Sequence, residues 1–213
     1  MKIKKLGHCC LVMEINGKRV MTDPGSYTIS SHEQEKNIDL IVITHEHQDH
    51  LHVDSLKEIV QNNPDVVIVS NSGVGKILDE NGIRYQKLED GNSGDFAGVY
   101  LEAHGDTHIE IYEEIGQVQN TGYFIGKDLF YPGDAFTNPG KKVDILALPV
   151  AGPWTNIKMP IMYALEIKPR LCFPVHDGML DPNFGTAHRI PSMVLSEHNI
   201  EFKSLESNKE EEI

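Results

Sequence analysis

Residues 44–50, THEHQDH, place three histidines and two carboxylates in seven positions, directly after the apolar run Ile38-Asp39-Leu40-Ile41-Val42-Ile43. His45 and His47 are two apart, so in an extended or turning segment both imidazoles point to the same side. Asp49 and His50 follow where the strand must give way to a helix. Four donors thus leave one loop in two directions, which suits two adjacent metal ions better than one. Neutral imidazole and carboxylate are ligands for zinc, and for manganese or iron where oxygen donors are added. The rival reading is a polar surface loop whose histidines happen to cluster. It is weakened by the buried-type strand ahead of the loop and by the partners that the rest of the chain supplies. An expression tag is excluded, because the cluster is internal and punctuated by acids.

The elements that must hold this loop are short and alternate in type. Lys2–Leu6, Leu11–Ile15 and Arg19–Thr22 read as strands, with Asn16-Gly17 as a hairpin turn. Asp39–Thr44 is the nearly continuous apolar run of a strand covered on both faces. Leu51–Asn62 carries Leu51, Leu56, Ile59 and Val60 near one helical face. Val66–Ser70 is a further buried-type strand, and Val74–Asn81 a short helix stopped by Gly82. Val99–Ala103, Ile109–Tyr112, Gly122–Ile125 and Leu129–Tyr131 make a β-rich middle. Then come strand Asp144–Leu148, helix Ile157–Ile167, strand Leu171–Val175, helix Ala187–His198 and strand Ile200–Lys203. Two sheets covered by helices satisfy this order.

Set on these elements, THEHQDH, TDP at Thr22–Pro24, FYPGDAF at Phe130–Phe136 and FPVHDG at Phe173–Gly178 resemble the metallo-β-lactamase superfamily over nearly the whole chain. GHCC at Gly7–Cys10 and NTGYFI at Asn120–Ile125 look more particularly like its ascorbate-6-phosphate-lactonase-like branch. The resemblance implies an α/β fold, a four-layer αββα sandwich of two mixed sheets flanked by helices. It also implies a first metal on His45, His47 and a histidine from the middle, and a second on Asp49, His50 and His176, with Asp134 bridging. In the strand ending near His104, that histidine shares the face of Tyr100 and Glu102, opposite Val99, Leu101 and Ala103, which suits a surface residue. His108 lies beyond the turn Gly105-Asp106-Thr107, where the family resemblance puts its ligand, and it is the expected one. The same resemblance brings His8 near the metals as a substrate-orienting or proton-transferring group, with a hydrogen-bonded core histidine as the alternative. Asp23 looks like the family's early aspartate and is read as bracing the metal loop, a role compatible with a turn before Pro24.

Other features read more plainly. Asp177 either accepts a proton from a ligand or starts the Asp-Gly turn, and the turn is favoured. Trp154 in AGPWTN is read as packing, though its loop follows a strand end. His32, His52, His188 and His198 have no motif around them and read as solvent-facing or helix-surface residues. Ser72-Gly73-Val74-Gly75-Lys76 fails the phosphate-loop pattern and is a helix start. Cys9, Cys10 and Cys172 lack metal-type spacing and read as small buried hydrophobes.

At 213 residues with 39% hydrophobic content, no composition shift and no repeat, the chain reads as one domain, 1–213. No signal-peptide pattern and no membrane-length apolar run are visible, and three cysteines fit a reducing compartment, so a cytoplasmic location is expected. A net charge of −13 without a basic patch argues against nucleic acid. The acidic run Glu206–Glu212 reads as a solvated, frayed terminus. A small-molecule substrate is expected, with no membrane partner and with homo-oligomerisation left open.

Two divalent cations, zinc before manganese or iron, would supply hydroxide at neutral pH, and no protein nucleophile is needed. The expected activity is therefore metal-dependent hydrolysis, by a hydroxide held between the two metals, of a small anionic lactone or ester. Asp49 and Asp134 would orient the hydroxide, and His8 would assist. Hydrolysis of a small phosphodiester is the alternative chemistry. A metal-binding or ligand-sensing protein on the same fold is the alternative class.

Overall fold

Strand β4 (Leu40–Ile43) is apolar at every position because both its faces are covered: Leu40 and Val42 enter one core, Ile41 and Ile43 another. The same division runs through the computed structural model, which describes residues 1–113, 115, 117–181 and 185–213. Before β4 come β1 (Lys2–Gly7), β2 (Cys10–Ile15), β3 (Lys18–Thr22) and the short helix α1 (Ile29–His32). After it follow α2 (Val53–Asn62), β5 (Val67–Ser70), α3 (Ser72–Glu80), β6 (Gln86–Lys87), β7 (Ser93–Phe96) and β8 (Val99–His104). The rest comprises β9 (Gly122–Ile125), β10 (Leu129–Tyr131), β11 (Ile145–Pro149), α4 (Lys158–Ile167), β12 (Leu171–Val175), α5 (Thr186–Ser196), β13 (Glu201–Phe202) and β14 (Glu210–Glu212).

These strands form two seven-stranded sheets, ordered β14-β1-β2-β3-β4-β5-β6 and β13-β12-β11-β10-β9-β8-β7. Each sheet is mixed. In the first, β1 to β3 pair antiparallel and β3 to β6 parallel. In the second, β7 to β10 pair antiparallel and β10 to β13 parallel. Period-two alternation then sorts the side chains. Leu11, Met13, Val20, Tyr123, Tyr131, Ala147 and Phe173 fill the space between the sheets. Leu56, Ile59, Val74 and Leu78 of α2 and α3 cover the outer face of the first sheet. Ile161 and Ala164 of α4 and Leu195 of α5 cover that of the second. The result is the expected αββα stack.

Because β3, β4, β10, β11 and β12 run parallel within their sheets, their C-terminal ends come out along one edge of the sandwich. Asp23, residues 44–50, Asp134 and His176 all follow such ends.

Two expectations change. Ile109–Tyr112 is not a strand. The Ile109 N–H donates to the Asp134 carbonyl and the His108 N–H to that of Val118, so this backbone is committed to loops around the site rather than to a ladder. The acidic end is not frayed either: β14 pairs antiparallel with β1, Lys2 opposite Glu212 and Lys4 opposite Glu210. Opposite charges explain this edge, with Lys2–Glu210 at 3.4 Å, Lys203–Glu211 at 3.3 Å and the Met1 ammonium donating to the Ile213 carbonyl at 2.8 Å. The edge strands β6, β7 and β14 escape sequence reading because they are short, have no buried position and are made mostly of residues that carry no apolar alternation.

Candidate metal centre

The loop after β4 is folded tightly enough to present its donors together. The N–H groups of His50 and Leu51 both donate to the His47 carbonyl, at 2.9 and 2.8 Å. Gly25 lies flat against it: a Cβ there would stand 1.8 Å from the Asp49 carbonyl oxygen, so only glycine fits. Gly133 precedes Asp134 in left-handed conformation (φ +64°), where a Cβ would fall 2.4 Å from Asn120 Oδ1. Asn120 uses that oxygen to receive the Asp134 N–H at 3.0 Å, which anchors the carboxylate's backbone.

Donor atoms of His45, His47 and His108 lie within 4.8 Å of one another, as do those of His45, His50 and Asp134. Asp134 is central. Its Oδ1 lies 3.2 Å from His50 Nε2, and its Oδ2 lies 2.8 Å from His176 Nε2 and 3.4 Å from His108 Nε2. Asp49 Oδ2 closes the other side, 3.4 Å from His176 Nε2 and 3.1 Å from His8 Nε2. His47 is half-buried, its ring 4.8 Å from those of His45 and His108 between centroids. His8, His50, His176 and Cys9 form a further donor group within 4.8 Å, although the spacing of Cys9 had suggested mere apolar filling.

The outer atoms of His45, His50 and His108 are tied down, whereas Nδ1 of His176 is buried without a hydrogen-bond partner. Asp23 Oδ2 lies 2.7 Å from His50 Nδ1 and accepts from Thr44 Oγ1 and the Tyr131 hydroxyl, each at 2.7 Å. Thr44 Oγ1 is 3.0 Å from His45 Nδ1, and His108 Nδ1 donates to the Ile109 carbonyl. The inner atoms are the reverse. Nε2 of His45, His50, His108 and His176, together with Asp134 Oδ1, are buried without a hydrogen-bond partner. Orphaned buried polar atoms are costly and rare, and five facing one another fit a site for cations. His8, Asp23 and His176 are also held at positive φ (46°, 37° and 59°), local strain concentrated at this site.

The electrostatics agree. Burial pushes His45 well below the ordinary histidine range and His47 below it, with neighbouring imidazoles adding to the effect, so both keep free lone pairs. Burial opposes charge on Asp134 and Asp49 as well, but the surrounding imidazoles outweigh it and hold both carboxyls low. Burial also opposes charge on His50 and His176, yet the Asp134 carboxylate overrides it and raises both. The centre therefore calls for positive charge between its acids, the need a cation pair would meet.

Other expected residues fall elsewhere. His104 bonds Glu102 at 2.8 Å and stays outside these donor groups. Asp177 does start a turn, its carbonyl accepting the Leu180 N–H at 3.0 Å, but its side chain pairs with Lys5 at 2.7 Å and His188 at 2.9 Å. His32, read as a solvent-facing or helix-surface residue, is fully buried between Thr28 Oγ1 and Ser55 Oγ, at 3.0 and 2.7 Å; its helix is too short to show the face it turns inward. His52 caps α2 by accepting the Ser55 N–H. Trp154 is more than packing: its indole N–H donates to Asp134 Oδ2 at 3.0 Å. Its position in a Gly-Pro-Trp loop just after a strand end was the available signal.

Comparison with known proteins follows the same lines. Residues 2–176 match the family described as Beta-lactamase superfamily domain. Protein Rv0786c of Mycobacterium tuberculosis is 30% identical over 188 residues, covering 86% of this chain and 87% of that protein. The UPF0173 metal-dependent hydrolase Ta0764 of Thermoplasma acidophilum is 27% identical over 197 residues, covering 85% of each chain. The structure of Igni18, described as a novel metallo hydrolase from the archaeon Ignicoccus hospitalis, superposes with a TM-score of 0.77 at 19% identity, covering 99% of this chain and 97% of that one.

Proposed function

The chain belongs to the beta-lactamase superfamily domain family and carries the metallo-β-lactamase fold of metal-dependent hydrolases, and from that premise we propose that it hydrolyses a small anionic lactone or ester at a dinuclear centre. His45, His47 and His108 would hold one cation, Asp49, His50 and His176 the other, with Asp134 between them. When bound, a pair of divalent cations, zinc before manganese or iron, supplies an activated water and polarises the attacked carbonyl. The observation that carries this reading is the set of buried, unpartnered inner nitrogens around an Asp134 oxygen that is equally unpartnered.

The chain's own groups do the rest. Asp23 fixes the ring of His50 through Nδ1, leaving Nε2 as the donor atom. Asp49, whose side chain keeps 25% of its exposure against 3% for Asp134, is the carboxylate that can meet incoming water and orient it by accepting a hydrogen bond. His8 accepts the Gly178 N–H on Nδ1 at 3.1 Å. A backbone N–H can only donate, so neutral His8 carries its proton on Nε2 and donates it to Asp49. His8 thereby orients Asp49, and the exposed Tyr27 ring stacked on it, 4.5 Å between centroids, sits beside that same histidine. The branch resemblance of GHCC and NTGYFI supports the lactone assignment. The shared core between the two sheets supports a single domain over 1–213. Three buried, unpaired cysteines support a cytoplasmic setting. Among the described residues no helix is long and apolar enough to cross a membrane.

The test is to purify the protein with its native metals, measure their content, and screen lactones, thioesters and phosphodiesters. Turnover of a lactone or ester that vanishes in His47→Ala and Asp134→Ala is the expected result. Turnover of phosphodiesters alone would replace the substrate class, and two bound metals without any turnover would favour a ligand sensor.

A further inference from the structure

Asp134 has two oxygens in unequal surroundings. Oδ1 has no hydrogen-bond partner, whereas Oδ2 accepts the Trp154 indole N–H at 3.0 Å. Trp154 reaches this point from a loop that follows β11 and is built for it. The Val150 N–H is tied to the Val175 carbonyl at 3.0 Å, and the Thr155 N–H turns back to Gly152 at 3.3 Å. Gly152 has φ +155°, and a Cβ on it would stand 2.7 Å from Trp154 Cε2 and 2.8 Å from Nε1. The indole thus lies directly against glycine backbone, and any side chain at 152 would push it off its line to Asp134. The ring is buried, with His176 5.2 Å and Phe136 5.8 Å away between centroids, both in edge arrangements.

We propose that Trp154 is a positioning residue for the bridging carboxylate, its N–H occupying one lone pair of Oδ2 and so setting the rotation of the Asp134 carboxyl between the two halves of the histidine cluster. This rests on the reading of Asp134 as the bridge. An ionised carboxylate accepts at about four lone-pair sites, so the indole uses one and leaves the others on both oxygens for cations. An indole N–H is a donor only. It cannot compete as a ligand, and it cannot take a proton from a group at the centre. The Asp134 backbone is already held by Asn120 and Ile109, which leaves side-chain rotation as the freedom that remains, and the indole removes it. A phenylalanine would keep an aromatic ring against Phe136 and His176 in part of that space but leave the rotation unset.

Trp154 is the sole tryptophan of the chain, so a tryptophan auxotroph fed with benzothienylalanine would replace this one side chain with a near-isostere carrying sulfur in place of N–H. Zinc and cobalt affinities, measured by competition with a chromophoric chelator, and the visible absorption of the cobalt form are the readouts. The expected result is binding about 10–100-fold weaker than in the unmodified protein, with a changed cobalt spectrum and unchanged far-ultraviolet circular dichroism. Gly152→Ala, which keeps the indole but displaces it, should shift both readouts in the same direction. Unaltered affinity and spectrum in the analogue protein would overturn the proposal, as would unaltered values in Gly152→Ala and Trp154→Phe together should the analogue protein not fold. An unmodified protein that binds no cation would instead remove the metal reading itself.

Discussion

Asp23 Oδ2 stands 2.7 Å from His50 Nδ1, and both side chains are fully excluded from solvent. The same oxygen receives the hydroxyls of Thr44 and Tyr131, so one carboxylate ties together the ends of β3 and β10 and the loop after β4. It sets the ring angle of His50 and raises the basicity of the opposite nitrogen. Asp23→Asn keeps the size but loses the charge and presents an amide to groups that require an acceptor. The expected outcome is metal affinity reduced about 10–100-fold, read by chelator competition, with the secondary structure intact by circular dichroism.

Gly25 makes a sterically sharper prediction. Its added Cβ would overlap the Asp49 carbonyl carbon at 2.0 Å and the His50 nitrogen at 2.5 Å, all of it backbone that cannot rotate aside. Gly25→Ala must therefore displace the loop that carries Asp49 and His50. Loss of about 1–3 kcal/mol or more in urea unfolding, together with a lowered metal content after purification, is expected. A variant of unchanged stability would show that this loop yields more easily than its contacts suggest.

His32 gives a pH dependence away from the candidate metal centre. Burial, with the neighbouring His52 adding to it, depresses its pKa from 6.5 to about 4. The folded state thus keeps His32 neutral while the unfolded chain protonates it. Its contribution is complete above pH 6.5, declines as pH falls from there toward 4, and stays lost below. The full swing is roughly 3 kcal/mol. Urea unfolding of wild type and His32→Gln across pH 4–7.5 should show the stability gap between them closing with acid, and a constant gap would refute the assignment.

The C-terminal strand supplies the last prediction. Deleting residues 210–213 removes β14, leaves one edge of β1 unpaired while the other stays on β2, and takes Glu210 away from Lys2. A cost of about 1–2 kcal/mol should lower Tm by about 2–8 °C. The bared edge of β1 should also promote concentration-dependent association, visible in light scattering. Metal affinity should be unchanged, since the donors lie at the other end of the strands.

Much was legible in the residues alone, and the reason is locality. Buried strands such as Leu40–Ile43 and Leu171–Val175 announce themselves because both faces are covered, so apolar residues run without a break. His45, His47, Asp49 and His50 could be grouped because one short loop holds them. His104 and His108 could be told apart only through alternation and a family resemblance, and it is the loop geometry that puts His108 within 3.4 Å of Asp134. Contacts between distant parts of the chain were not readable: Tyr131 with Asp23, Trp154 with Asp134, Lys5 with Asp177, and the acidic terminus with β1. Sequence determines which strands are buried and which residues are fit to hold a cation, because those properties follow from neighbours along the chain. Which oxygen meets which nitrogen is decided only when parallel strands of two sheets bring their ends to one edge, since pairing and packing at that range depend on the whole sandwich rather than on any local pattern.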